Sequence, residues 1–484
     1  MQMAERMADG LVQVALQAES ETGAAREWAE TAFRILVLSD LSGEHKHQPP
    51  QQRAPVRVDR DNLDDVLAQF APRLTLDGSV ITFAELDDFH ADRLWKRVPV
   101  FDALRDLRNR LDNPGTFQTA ADQLLGASSP PSAPAKAQPT AGSLLDQIVT
   151  EVSGSAPPAA AAPARSADEL REQIRRIVRP HIIPGEDPRK ALLVQRVETA
   201  ATELLRALLH DRAFQSLESG WRALDRLTRR IETSAQLEIW VLDISRDELF
   251  AELAHDDADN ALQRMFDRHG PWSVVVGDYT FGPADDDLKS LTRIGQMAKA
   301  AGVCFLAGAS PVLAGIPAFD RMRHSDEWSD HPASWEQFRR SGATPFVGLA
   351  VPRFLARMPY GRDGDTCEEI DFEEHTSPPR HEDYLWANSA YLVALLLAES
   401  FTEHGSDMRP GTHQDVTGLP LHIYQVDGIS QAQPCAESVM TERMATRLAE
   451  SGLIPVASIK DSDTARVVRF QSVALPITAL TGPW

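Results

Sequence analysis

Apolar and polar residues alternate from residue 11 to residue 19, LVQVALQAE, and this alternation predicts a half-buried strand. One face of the strand carries Val12, Val14 and Leu16, whereas the other face carries glutamine and glutamate. Alanine and glutamine are also common in helices, so a helix stays open as an alternative for this segment. A second strand is predicted over residues 33–38, ending at the polar turn 39–43.

The rest of the first quarter predicts a small α/β unit that ends near residue 125. Residues 62–70 form a helix whose apolar stripe repeats at i, i+3, i+4 and i+7, and a proline follows it. A strand over 80–83 and a second helix over about 100–111 complete the pattern. We therefore assign residues 1–126 to one domain, with the strand 11–19 at its start.

Residues 127–165 are rich in proline, alanine and serine, which is typical of a disordered linker. Within this linker, residues 143–152, SLLDQIVTEV, have helical spacing with Leu144, Leu145 and Ile148 on the apolar side. A short amphipathic helix in a linker is typical of a partner-recognition motif. A local helix that folds back on the core is an equally good interpretation.

From residue 166 to residue 484 the pattern predicts a larger α/β domain. Long amphipathic helices over 193–209 and 214–231 precede an alternation of strands and helices that continues to residue 311. Such βαβ-like alternation predicts a central mixed or parallel sheet with flanking helices. A mostly apolar segment over 384–401 predicts a buried helix, and two further strands are predicted over 419–425 and 453–459. The fold class is therefore α/β (mixed α+β).

The stretch 344–361 combines a clear secondary-structure pattern with two arginines. The apolar run 345–351 predicts a buried strand that Pro352 ends, because proline has no amide proton to donate to a neighbouring strand. The spacing of apolar residues over 353–358 then predicts a helical turn. Arg353 and Arg357 stand among apolar groups and need partners, which the acidic residues 368–374 could supply. A structural ion-pair network is the favoured interpretation, and a catalytic arginine is the alternative.

Charge and cysteine content narrow the classes of function. The chain has 49 Lys and Arg against 71 Asp and Glu, a net charge of −22, which argues against nucleic-acid binding because phosphates require a basic surplus. Its three cysteines are widely spaced, and this fits a reducing cytoplasm. The longest apolar run, 391–398, is too short to span a bilayer, and the first residues lack the pattern of a signal peptide. We predict a cytoplasmic protein without membrane insertion.

The sequence motifs of common catalytic and cofactor sites are incomplete in this chain. The chain has no Gly-Lys dipeptide and hence no phosphate-binding P-loop, and residues 308–312 lack the last glycine of a nucleophile elbow. Residues 381–385 lack the second histidine of a zinc protease. Asp87, Asp88 and His90 are better explained as a helix-capping turn than as metal ligands. We predict no enzyme activity, no metal and no cofactor.

Several motifs in order resemble the large-subunit family of the type VI secretion contractile sheath, called TssC, VipB or ImpC. They are HDRAFQSLESGWRALDRL at 210–227, VGLAVPRFLARMPYG at 347–361, FEE at 372–374 and YLWANSAY at 384–391. The resemblance covers about residues 142–484. The first quarter, about residues 11–126, resembles the small sheath subunit, called TssB or VipA. That likeness rests on ILVLSDLSG at 35–43, RAPVRVD at 53–59, NLDDV at 62–66 and LDDFH at 86–90.

The two resemblances imply a structural protein in which a small and a large sheath subunit are fused. They imply helical assembly with copies of itself or with separate sheath subunits, linked by exchange of the strand 11–19, around an inner tube that contraction drives outward. They also imply that a ClpV-type AAA+ ATPase recognises Leu144, Leu145 and Ile148, and that a baseplate is a further partner.

Two alternatives accompany this interpretation. Relative to the large-subunit family, the sequence stops before the C-terminal region that accepts the exchanged strand. Either a separate chain supplies that region, or the protein is a cap, an initiator or a baseplate adaptor that docks but cannot be extended. The alternative from another class is an enzyme with a site around Arg353, Arg357 and the neighbouring carboxylates. That alternative predicts a deep cleft with convergent polar groups, whereas the sheath interpretation predicts arginines that are fully paired.

Overall fold

The computed structural model describes residues 32–126, 187–322 and 325–484, apart from positions 45, 47, 77 and 256–260. The predicted strand 11–19 and the predicted helix 143–152 both lie outside the described residues. The description below therefore concerns the parts of the chain on either side of the predicted linker.

Fifteen strands are present in the described part of the chain. In chain order they are β1 (Phe33–Ser39), β2 (Val56–Val58), β3 (Arg73–Leu76), β4 (Ser79–Thr82), β5 (Leu237–Asp243), β6 (Val274–Phe281), β7 (Cys304–Ala309), β8 (Val347–Val351), β9 (Phe354–Leu355), β10 (Trp386–Ala387), β11 (Asp415–Val416), β12 (His422–Val426), β13 (Ile429–Gln433), β14 (Ile454–Ser458) and β15 (Ala465–Val467). Nine of them form one sheet in the order β11-β15-β14-β8-β7-β6-β1-β5-β2. The six strands from β14 to β5 are parallel, and antiparallel strands close both edges.

The strand β1, from the first quarter of the chain, lies between two strands of the later part. It pairs in parallel with β5 over seven residues, from Phe33 beside Leu237 to Ser39 beside Asp243. On its other side it pairs in parallel with β6, where Ile35 lies beside Val274. The first quarter and the later part of the chain therefore share one sheet.

Helices cover both faces of the sheet. In chain order they are α1 (Leu63–Phe70), α2 (Ala91–Arg97), α3 (Asp102–Asp112), α4 (Phe117–Gly126), α5 (Lys190–Leu209), α6 (Arg212–Arg230), α7 (Arg246–Ala254), α8 (Ala261–His269), α9 (Asp285–Ala301), α10 (Ala333–Arg339), α11 (Ala390–His404) and α12 (Glu442–Glu450). The helices α1 to α6 and α11 pack on one face, and α7 to α10 and α12 pack on the other. None of the helices in the described ranges has both the length and the hydropathy that crossing a bilayer requires.

Alternate residues of the central strands feed two separate cores. In β1, Ile35 and Val37 join the core beneath α5, α6 and α11, whereas Leu36 and Leu38 join the core beneath α7, α8 and α9. All four side chains are buried. Such continuous apolar runs are expected of parallel strands that are covered on both faces. The predicted α/β class, with a central sheet and flanking helices, is confirmed.

Two local predictions were wrong, one in the stretch 344–361 and one at the start of the helix α11. Residues 353–358 form no helical turn, because Phe354 and Leu355 form β9, which pairs with β10. Backbone groups from distant segments hold β9 extended: the amide of Leu355 donates to the carbonyl of Cys435 at 2.8 Å. A six-residue segment has too few internal hydrogen bonds to outweigh such tertiary pairing. For the same reason the buried helix α11 begins at Ala390 and not at residue 384, since Trp386 and Ala387 form β10.

Candidate functional site

Arg357 is buried between two carboxylates. Its Nε lies 2.8 Å from Oε1 of Glu218, and its Nη1 lies 2.7 Å from Oε2 of Glu374. The relative exposure of the Arg357 side chain is 6%, and that of the two glutamates is 0% and 1%. The sequence predicted an acidic partner among residues 368–374, and Glu374 confirms it.

A second arginine completes this arginine network, which consists of Arg222, Arg357, Glu218, Glu374 and Tyr360. The Nε of Arg222 lies 2.6 Å from Oε1 of Glu218, and its Nη2 donates to the hydroxyl of Tyr360 at 3.1 Å. The guanidinium of Arg357 stacks on the Tyr360 ring at 4.1 Å from the ring centroid. Two positive and two negative groups therefore balance within the core, which is the condition for keeping buried charges.

The network favours the charged forms of Arg357 and Glu374. Burial raises the pKa of Glu374, but the charge of Arg357 and its hydrogen bonds outweigh burial, so that the pKa lies below its ordinary value. Burial lowers the pKa of Arg357, and the two carboxylates reverse this effect and raise the pKa well above its ordinary value. Because every charged group already has its partner, the network is suited to holding elements together.

Arg353 lies apart from the network, and the expectation of a partner among residues 368–374 was wrong for it, because it binds the distant Glu437. Its Nη2 lies 2.6 Å from Oε1 of Glu437, a side chain that also receives a contact of 3.0 Å from Nε2 of His381. Burial raises the pKa of Glu437, but the hydrogen bonds from His381 and Arg353 outweigh burial and lower the pKa to about 2. Both arginines of the enzyme alternative are thus engaged in ion pairs within the described structure.

An open cleft of about 510 Å³ lies at the carboxyl end of β6, where ligands of open α/β sheets commonly bind. Asp278 lines this cleft, and its Oδ2 accepts hydrogen bonds from Ser39 Oγ at 2.9 Å and from the Tyr391 hydroxyl at 3.3 Å. Burial raises the pKa of Asp278 to about 6, although these two hydrogen bonds oppose the rise. The carboxylate joins β1, β6 and α11, so its visible contacts are structural.

The predicted partner-binding residues all lie outside the described residues. They are Val12, Val14, Leu16, Leu144, Leu145 and Ile148. The predicted capping turn is confirmed, because the carboxylate of Asp88 accepts from the amide of Ala84 at 2.8 Å and His90 Nδ1 accepts from the amide of Asp92.

Sequence reasoning missed Glu218 and Asp278. Asp278 carried a usable signal, because a single carboxylate within the buried strand VVVGDY requires a partner. The signal for Glu218 was weaker: it stands among apolar and small residues of α6, but the sequence does not indicate which distant cation it binds.

Comparisons with known proteins match both parts of the chain. Residues 191–474, more than half of the chain, match the family VipB, described as EvpB, tail sheath N-terminal domain. Residues 11–116 match the family VipA of the type VI secretion system. A relative, the type VI secretion system sheath protein TssC1 of Pseudomonas aeruginosa, is 30% identical over 305 residues, which cover 59% of this chain and 61% of the relative. The chain thus spans about 61% of the length of that relative.

Proposed function

Because this chain belongs to the VipB tail sheath family, we propose that it is a structural component of a type VI secretion contractile sheath. In this proposal, one chain supplies both a small-subunit part and a large-subunit part. The activity is mechanical: rearrangement of the assembled protomers shortens the sheath and drives an inner tube outward. The protein acts in the bacterial cytoplasm.

The observation that carries the proposal is the place of β1 in the sheet. It comes from the segment that matches VipA, and it lies between β5 and β6 of the segment that matches VipB. Two parts that complete one sheet are needed in equal numbers. Covalent linkage guarantees this ratio and raises the effective concentration of each part for the other.

Neighbouring protomers are connected through the segment 11–19 in this proposal. Strand addition suits a contracting assembly because main-chain hydrogen bonds carry the connection while the globular parts rotate. The partners are further copies of this chain or separate sheath subunits, the inner-tube protein, a ClpV-type ATPase and the baseplate. The extensive internal pairing of Arg357 supports a rigid protomer that moves as a unit.

Electron microscopy of the purified full chain tests the proposal, both alone and mixed with the products of neighbouring genes. We expect helical tubes or stacked rings in at least one of these samples. Particles found only at the ends of tubes made by other subunits would identify a cap, an initiator or a baseplate adaptor. Particles that neither assemble nor bind a sheath would contradict the proposal.

A further inference from the structure

Two histidines and a glutamate meet where α11 ends. Glu403 and His404 are the last two residues of that helix, and His413 approaches them from the loop that leads to β11. One ligand atom from each of the three side chains lies within 4.8 Å of the other two. This group, called here the His-Glu cluster, is separate from the arginine network and from the cleft beside Asp278.

Each carboxylate oxygen of Glu403 approaches a nitrogen of a different imidazole ring. Its Oε2 is 2.7 Å from Nε2 of His413, and its Oε1 is 4.0 Å from Nε2 of His404. The shorter contact lacks the alignment of a hydrogen bond, and Nε2 of His413 has no hydrogen-bond partner although it is shielded from solvent. Ligands of a shared ion direct their lone pairs at the ion and not at each other, so this misalignment is compatible with a metal site.

The other nitrogen of His404 fixes which tautomer the ring adopts. Its Nδ1 lies 3.2 Å from the carbonyl oxygen of Ser400 in the same helix. A carbonyl oxygen only accepts hydrogen bonds, so Nδ1 carries the proton and Nε2 of the neutral ring keeps its lone pair. A hydrogen bond from the far nitrogen to a backbone carbonyl is the arrangement that orients metal-binding histidines.

We propose that Glu403, His404 and His413 bind a divalent transition-metal ion of the zinc class. Zinc holds imidazole nitrogen and carboxylate oxygen at about 2.1 Å, which places tetrahedral ligands about 3.4 Å from one another. The observed separations lie on both sides of that value, so small side-chain rotations close the site. Calcium and magnesium fit less well because they prefer oxygen ligands throughout.

The surroundings of the cluster leave room for a fourth ligand. The exposed fractions of the His404 and His413 side chains are 37% and 33%. Water can therefore complete the coordination. A bound ion joins the end of a buried helix to the loop before β11, the outermost strand of the large sheet. The ion thus stabilises this edge of the sheet.

Isothermal titration of the full chain with zinc chloride, after removal of metals with a chelator, tests the site. We expect one zinc ion per chain. The substitutions His404→Ala and His413→Ala should each weaken the affinity at least about tenfold, since even outer partners of metal ligands contribute that much. His255→Ala serves as the matched control, because His255 is exposed at the end of another helix, and it should bind zinc as the parent chain does.

Cobalt(II) gives a second readout that does not depend on heat signals. Cobalt in a site with two imidazoles should show a visible absorption band that is lost in the His413→Ala variant and kept in the His255→Ala variant. Circular dichroism of the metal-free variants checks that they remain folded. Absence of zinc binding by the parent chain, or unchanged affinity in both cluster variants, would overturn the proposal. Neither result bears on assembly into a sheath.

Discussion

The guanidinium Nε of Arg357 lies 2.8 Å from Oε1 of Glu218, a residue 139 positions earlier in the chain. Glu218 belongs to α6, whereas Arg357 follows β9, so that this pair fastens a helix to a loop at the end of the sheet. Both side chains are excluded from solvent. The stability of the pair therefore depends on each partner keeping its charge.

Replacing Glu218 by glutamine should destabilise the protein strongly. The substitution preserves shape but leaves Arg222 and Arg357 with Glu374 as the one remaining carboxylate of the network. Breaking a buried ion pair by removing one partner costs about 3–5 kcal/mol. We expect a loss of that size in the free energy of unfolding, measured by urea denaturation with tryptophan fluorescence.

An ion pair on the outer face of the same helix provides the control for this measurement. The Nε of Arg229 lies 2.7 Å from Oδ1 of Asp225, and the Arg229 side chain is 63% exposed. Exposed pairs contribute about 0–1 kcal/mol, so Arg229→Ala should change stability little. Equal losses in the two variants would show that burial does not set the strength of the Glu218 pair.

Local patterns along the chain predicted most elements but not their arrangement. The strand β1 and the helices α5 and α6 were predicted because their apolar spacing is a property of neighbouring residues. The insertion of β1 between β5 and β6 joins residues about two hundred positions apart. No period in the sequence records which strands pair, so this relationship had to come from the structure.

In the candidate site, too, contacts between residues close in sequence could be predicted, whereas contacts between distant residues could not. A buried Arg357 with an acidic partner was predicted, and Glu374 lay close enough in sequence to be included. Glu218 could not be included, because its contact with Arg357 depends on how α6 packs. The wrongly predicted helical turn over 353–358 has the same origin, since the backbone partners of Leu355 come from distant segments.

The raised pKa of Asp278 should make stability depend on pH. An ordinary aspartate has a pKa of about 4, whereas burial raises that of Asp278 to about 6 in the folded chain. Between about pH 4 and pH 6 the folded state therefore holds a proton that the unfolded state has released. The stabilisation it provides is complete below about pH 4 and is lost as the pH rises through about 6, a change of about 2–3 kcal/mol.

Asp278→Asn isolates this effect because asparagine imitates the protonated acid. The variant should match the parent chain near pH 4 and should be more stable by about 2–3 kcal/mol near pH 7. Urea denaturation at several pH values measures the difference. Asp286→Asn is the control, since Asp286 is 86% exposed on α9. A difference between parent and Asp278→Asn that stays constant with pH would contradict the assignment.

Cutting the predicted linker should not separate the two parts of the chain. A protease site inserted between residues 127 and 165 would allow the covalent link to the segment that carries β1 to be cut. Because β1 pairs with β5 and β6 along its buried length, we expect the two fragments to remain together at a ratio of one to one. Size-exclusion chromatography after cleavage, followed by electrophoresis, measures this ratio.

The separate expression of residues 187–484 provides the complementary observation. Without β1 the sheet has unpaired backbone groups on β5 and β6, which water or another chain must satisfy. We expect aggregation of this fragment and rescue by co-expression of residues 1–126. Fragments that separate after cleavage and remain folded would show that the shared sheet is not needed for stability.

The segment 11–19 should support assembly through one face. Replacing Val12, Val14 and Leu16 together by glutamine removes the apolar side of the predicted strand, and we expect loss of the tubes or rings seen by electron microscopy. Threonine at positions 13 and 17 is the control, because it changes the polar side and favours a strand. Loss of assembly in both variants, or in neither, would contradict a strand with one apolar face.

The predicted helix 143–152 should bind a ClpV-type ATPase through Leu144, Leu145 and Ile148. Replacing these three residues by alanine should abolish capture of the purified ATPase by the chain, whereas alanine at Gln147 and Glu151 on the polar side should leave capture unchanged. Thermal unfolding of both variants separates the two interpretations of this segment. If the helix instead folds back on the core, the apolar substitutions should lower the unfolding temperature while ATPase capture persists. Capture that is lost at an unchanged unfolding temperature identifies the apolar face as a docking motif, since nothing else in the protein then depends on it.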